Sequence, residues 1–235
     1  PGITEAYVDI ESPKAFRNTL PTDPNLASQW HLINPTNPAA DVNADAAWKA
    51  GYTGAGVTIG VLEGGWDINH EDLAANYHAA ASQPAFGQSD HGTAVAGLAA
   101  AAGNNNRGGV GVAYGARLSR LYYGSTTDIA NAFTFRNDLN DIKTNSWGPF
   151  DNGFISTISS AELAAFETAV TTGRAGKGVV LIWASGNGGA APTSDRVDYD
   201  PYGSNRFAMA VGAIDFFDRP SIYTEGGSAL MFVTT

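Results

Sequence analysis

The sequence predicts an α/β protein built on a doubly wound, mostly parallel central sheet flanked by helices. Three observations predict it. Apolar runs of strand length, at residues 57–62 and 179–184, are continuous rather than alternating, as in strands buried on both faces. Helical patterns separate the strands. Polar and glycine-rich residues stand just after strand ends (Glu63, Trp147-Gly148, Ser185-Gly186-Asn187-Gly188-Gly189), where open parallel sheets bind their ligands.

Residues 1–42 repeat Pro, Asn, Asp and Thr without a sustained period. Thr22-Asp23-Pro24 and Gln29-Trp30-His31-Leu32 mark them as an irregular N-terminal arm packed on the rest. Residues 43–51 read as a short helix capped by Asn43 and closed by Gly51. The strand 57–62 follows. Residues 91–102 read as a buried Ala-rich helix with His91 in its first turn, and Gly92, Ala94, Ala96 and Gly97 admit close neighbours. Next come a strand at 117–123 and a helix at 127–139 with Thr127 or Asp128 as its cap. A strand at 142–147 runs into Gly148-Pro149. Leu163, Phe166 and Val170 give 160–172 a helical period. Strands at 179–184 and 207–213 complete the pattern. Without repeats, low-complexity tracts or a linker, residues 1–235 read as a single domain.

The 235 residues are 43% hydrophobic, with 28 Gly, 11 Pro and no Cys. That is enough chain for a large core, and it excludes disulfide and thiol chemistry. A net charge of −10 argues against nucleic acid and anionic membrane surfaces and suits cations or basic peptides. The longest apolar runs, such as 178–184, are too short to span a bilayer. Pro1-Gly2-Ile3 does not resemble a signal peptide, which leaves a mature or a cytosolic chain; the expectation is the mature form, secreted, extracellular or periplasmic.

The run His91-Gly92-Thr93-Ala94-Val95-Ala96-Gly97 resembles the histidine motif of the subtilisin-like serine peptidases. Residues 59–73 resemble that family's acid motif, with Glu63 where the family has Asp; Asp67 is the other acid nearby. Trp183-Ala184-Ser185-Gly186-Asn187-Gly188-Gly189 is similar to the block that supplies the oxyanion-hole amide, here Asn187. With Asn145-Ser146-Trp147-Gly148-Pro149, it narrows the likeness to the kexin/furin-like branch.

The resemblance implies a calcium-dependent serine endopeptidase cleaving after Arg or Lys, with His91 as base, Glu63 orienting it, and Ser146, Trp147 and Gly148 pairing with substrate backbone. It implies two Ca2+ sites. One would be held by Asp151, Asp195 and Glu225 at the base of the specificity pocket, with Asp200 on its floor; Asp198 competes with Asp195. The other would be held by Asp23, Asp72, Asn105 and the carbonyls of Ala102, Arg107 and Gly109. The expected partner is a protein or peptide with basic residues. Gly64, Gln88 and Asn131 stand near places where mammalian members carry acids for further basic subsites, which speaks against a multibasic preference. The Gly-Thr-Ser block of the nucleophile is not in the sequence, and Gly227-Ser228-Ala229-Leu230 matches it only superficially. The expectation is a domain lacking the C-terminal segment that carries the Ser, that segment being either a separate fragment after an internal cut or absent. The rival expectation is a degenerate, non-catalytic subtilase-fold protein that binds basic peptides without cleaving them.

Overall fold

Six strands, β1 (Thr58–Glu63), β2 (Arg117–Tyr122), β3 (Ile142–Asn145), β4 (Val180–Ala184), β5 (Met209–Ala213) and β6 (Leu230–Thr234), make one sheet in the order β2-β1-β3-β4-β5-β6. Every pairing in it is parallel. The computed structural model describes residues 20–84, 86–190, 192 and 194–235, so residues 1–19 of the expected arm lie outside the described residues.

Parallel neighbours need crossovers, and helices supply them. They are α2 (Asp90–Ala100) after β1, α3 (Thr126–Thr134) after β2 and α4 (Ser160–Gly176) after β3; a short α1 (Ala44–Lys49) precedes the sheet. The strand period then divides the core. Ile59 and Val61 of β1 join Trp66, Leu118, Ala96 and Ala100 on the α2 side. Leu62, one residue on, joins Leu121, Phe133, Phe166 and Trp183 on the α3–α4 side. All six residues of β1 are buried, which is why its apolar run shows no alternation. Each fully buried Leu or Phe of this kind contributes about 1.5–3 kcal/mol. A third cluster, Leu32, Ala44, Trp48 and Val110, ties the described part of the arm to the body.

Lys143 is the unexpected core residue, fully buried on β3. Its ammonium donates to the carbonyls of Ala132 (2.8 Å), Phe133 (2.8 Å) and Phe135 (3.2 Å) and to Asn137 Oδ1. It therefore gives a donor to the carbonyls at and just beyond the C-terminus of α3.

Several local expectations are corrected. Asn43 stands at the N-cap of α1 in a left-handed conformation, and its side chain makes no cap hydrogen bond. Helix α3 is capped by Ser125 in a reciprocal pair with Asp128, and it stops at Thr134 because Phe135 is extended and Arg136 left-handed. Helix α2 is buried along one stripe only, Gly92, Ala96 and Ala100, since one face must meet water. Strand β3 ends at Asn145, before Ser146 and Trp147. β6 forms the sheet edge, with Met231, Phe232 and Val233 each more than half exposed.

Candidate active site

β1 ends on Glu63, whose side chain is 2% exposed, and α2 carries His91 in its first turn, with a side chain 61% exposed. Two local features bring them together. Ser89 caps α2, its Oγ accepting from Gly92 N–H at 3.0 Å. Gly92 lets the helix rest against the turn after β1, because a Cβ there would collide with the Gly65 carbonyl. The result is Glu63 Oε2 3.1 Å from His91 Nδ1. The second carboxylate oxygen accepts from Ser146 N–H at 3.2 Å, so the acid is fixed from two sides. Burial pushes the Glu63 carboxyl up, while the imidazole and Ser146 N–H draw it back down.

Asp67 is not placed to compete. Its Oδ1 accepts from Asn69 N–H at 2.9 Å within its own turn, and its backbone N–H reaches Thr93 Oγ1. Ser228 is likewise engaged elsewhere: its hydroxyl donates to Asp198 Oδ1 at 2.9 Å. Among the described residues no hydroxyl is hydrogen-bonded to His91.

Beyond the ends of β3 and β4 lies a cleft of about 160 Å³. Ser146, Trp147 and Gly148 line one part of it, and Asn187, exposed on the turn after β4, lines another. Trp147 is anchored by its indole N–H on Leu62 O (2.9 Å) and by Trp183 Nε1–H on its own carbonyl (2.6 Å). Tyr123 stacks on its ring at 4.8 Å, close to Gly64.

Four acids share the cleft. Asp151, Asp195 and Glu225 each offer a carboxylate oxygen within 4.8 Å of the others, and Asp200 lines the same space. None of the four makes an ion pair among the described residues. Burial pushes Glu225 up to about 7 and Asp200 up to about 6, and the neighbouring carboxylates push the same way. Backbone holds the group in place: Gly153 N–H donates to Asp195 Oδ2 (3.0 Å) and Gly188 N–H to Glu225 Oε1 (2.9 Å). Gly186 must be glycine, at φ 109° and with Glu225 Oε1 where a Cβ would stand. Asp198 is turned away to Arg196, Ser228 and Ala229, whereas Asp195 is the one that converges with Asp151 and Glu225. Three converging carboxylates with no cation of their own suit a hard divalent ion such as Ca2+.

The second expected group is gathered around the 103–109 loop. Asp23 accepts from Asn104 N–H (2.7 Å) and Asn105 N–H (3.1 Å), and Asp72 from Asn105 Nδ2 (2.8 Å) and Gly109 N–H (3.1 Å). Ala102 N–H bonds the Asp72 carbonyl, and Arg107 N–H bonds Asn105 Oδ1. Asn105 thus presents a donor to Asp72, and the loop is closed by its own hydrogen bonds. For the amide oxygen to face a cation, the Asn105 side chain would have to turn over.

Sequence reading missed the Ser146 clamp on Glu63, the ring of Tyr123 beside Gly64 and the exposed aromatics Phe150 and Phe154 at the cleft. A backbone N–H in a bend leaves no residue-type signal. Two Phe near Gly and Asp were a visible clue.

A parallel α/β sheet with an acid–imidazole pair and an acidic cleft beyond its strand ends defines the class. The chain belongs to the subtilase family, whose sequence model matches residues 54–232. It is 39% identical to kexin of Saccharomyces cerevisiae over 227 residues, covering 90% of this chain and 28% of that protein. It is 38% identical to neuroendocrine convertase 2 of Bos taurus over 236 residues, covering 90% and 36% respectively. The chain therefore spans about a third of the length of these relatives. Among solved structures it is similar to a protease from Pseudoalteromonas arctica, with a TM-score of 0.75, 25% identity, and coverage of 92% of this chain and 72% of that one.

Proposed function

We propose that this chain supplies the base, its orienting acid and the substrate cleft of a kexin-like, calcium-dependent serine endopeptidase that cuts after Arg or Lys. The observation that carries the reading is the set of four acids without an ion pair in a cleft that also holds Ser146, Trp147, Gly148 and Asn187. A peptide lies extended along Ser146 and Gly148, since the Trp147 carbonyl is already taken by Trp183. Its cationic side chain enters the pocket and meets Asp200, with Asp151 nearby, through charge-assisted hydrogen bonds.

Glu63 accepts the Nδ1–H of His91, which leaves Nε2 free to take a proton from the nucleophile. That nucleophile is a serine hydroxyl from outside this sequence. As it attacks the carbonyl, the imidazolium that forms is stabilised by the buried Glu63 carboxylate. The Asn187 amide donates to the oxygen that becomes negative, and His91 returns its proton to the leaving amine.

Asp151, Asp195 and Glu225 would hold one Ca2+, which neutralises their mutual repulsion and fixes the pocket wall. A second Ca2+ would take Asp23, Asp72, the turned amide of Asn105 and the carbonyls of Ala102, Arg107 and Gly109. Oxygen-ligand sites of this kind fit the calcium-rich secretory pathway or extracellular space. No helix among the described residues is long and apolar enough to cross a membrane.

Replacing Asp200 by Asn in the full-length protein tests the reading. kcat/KM on arginine substrates should fall by about tenfold or more, while neutral substrates lose little. An equal loss on both would mean that Asp200 does not read the basic side chain. Binding of arginine peptides with no cleavage by the full-length protein would favour the non-catalytic alternative.

A further inference from the structure

The loop 148–156 holds three large apolar side chains in solvent: Phe150 is 91% exposed, Phe154 75% and Ile155 75%. The backbone beneath them is tethered. Gly153 N–H donates to Asp195 Oδ2 (3.0 Å), Phe154 N–H to Asn152 Oδ1 (2.9 Å) and Ser156 N–H to the Tyr199 carbonyl (3.0 Å). The rings are thus displayed from a fixed frame. Phe150 and Phe154 line the same cleft as Asp151, Asp195, Asp200 and Glu225, whereas Ile155 does not. Scattered exposed apolar residues are ordinary, but two aromatic rings at the wall of an acid-lined cleft mark a contact surface.

We propose that Phe150 and Phe154 form an apolar subsite for the same peptide whose basic side chain enters the acidic pocket. The inference rests on reading the cleft as a peptide site and adds what else that peptide must carry. Charge fixes the occupant: with Asp151, Asp195 and Glu225 gathered round a Ca2+, Asp200 in the same cleft calls for a basic residue, and the rings beside it call for a large apolar one. Extended backbone fixes the spacing. Side chains two and four residues apart share a face, so the apolar residue stands two or four positions from the basic one. Substrates are then selected by a basic–apolar pair rather than by a run of basic residues.

The test uses the full-length protein with His91 replaced by Ala, so that binding is read without turnover. Fluorescent peptides share one arginine and carry either Leu or Ser at two or four positions from it. Anisotropy should show the Leu peptides binding about tenfold tighter than the Ser peptides. Adding Phe150→Ser with Phe154→Ser should abolish that difference and leave the Ser peptides unchanged. No preference for Leu, or equal weakening of both series by the double substitution, overturns the subsite. So does self-association of the His91→Ala protein that the double substitution removes, since the rings would then face a second copy. A clear Leu preference in binding, with the wild-type protein cutting neither series, keeps the subsite and overturns the catalytic reading instead.

Discussion

Glu63 and His91 lie 3.1 Å apart, carboxylate Oε2 to ring Nδ1, with the acid 2% exposed and the imidazole 61% exposed. A buried acid holding an open base is the geometry that general-base catalysis needs, because the acid fixes the tautomer while the outer nitrogen works. The extra methylene of Glu over Asp does not prevent the contact.

Glu63→Gln in the full-length protein should lower kcat/KM by about 10²–10⁴ with KM little changed, since the imidazolium loses its counter-charge. The carboxyl is raised by burial, so activity should fall on the acid side above the usual glutamate range. Stability carries the opposite sign. Between its unfolded and folded pKa the native state binds more protons at Glu63, so this contribution falls as pH rises through that window. A pH–rate profile compared with melting over the same range checks both.

Chelation should lower the melting temperature. A Ca2+ bound only by the native chain at 100 times its Kd adds about 2.7 kcal/mol, which corresponds to roughly 5–10 °C for a chain of this size. Glu225→Gln should shrink the shift, because it removes one of the three converging carboxylates. Equal melting with and without chelator in the wild-type protein would contradict the site.

Lys143→Met should destabilise the fold by about 2–4 kcal/mol, as it strips a buried donor from four acceptors at the end of α3. Burial pushes Lys143 down to about 7. Above that value the unfolded chain keeps a proton that the native chain releases, so stability should rise with pH toward the ordinary lysine range. Urea unfolding at pH 7 and pH 9.5 should show that rise in the wild type and lose it in Lys143→Met.

The sheet was legible because β1 is buried along its whole length and β4 is buried on one face and half-buried on most of the other, so both carry unbroken apolar runs. His91 and Glu63 were legible because short motifs fix both the residue types and the strand-to-helix setting. Boundaries were less so. Ser125, rather than Thr127 or Asp128, caps α3 because its hydroxyl and the Asp128 carboxylate pair reciprocally, and Ser, Thr and Asp all serve as caps. Nothing in the sequence marked Lys143 as a core residue. Its burial depends on where α3 ends, which is a tertiary fact. The convergence of Asp151, Asp195 and Glu225 spans three loops and has no local spacing at all.

Cleavage of a randomised peptide library, profiled with the full-length protein and with its His91→Ala variant, is the most direct test of the peptidase site. The wild type should cut directly after Arg or Lys, and the variant should not cut at all. Cuts after Phe or Leu, or unchanged cutting by His91→Ala, would contradict that site.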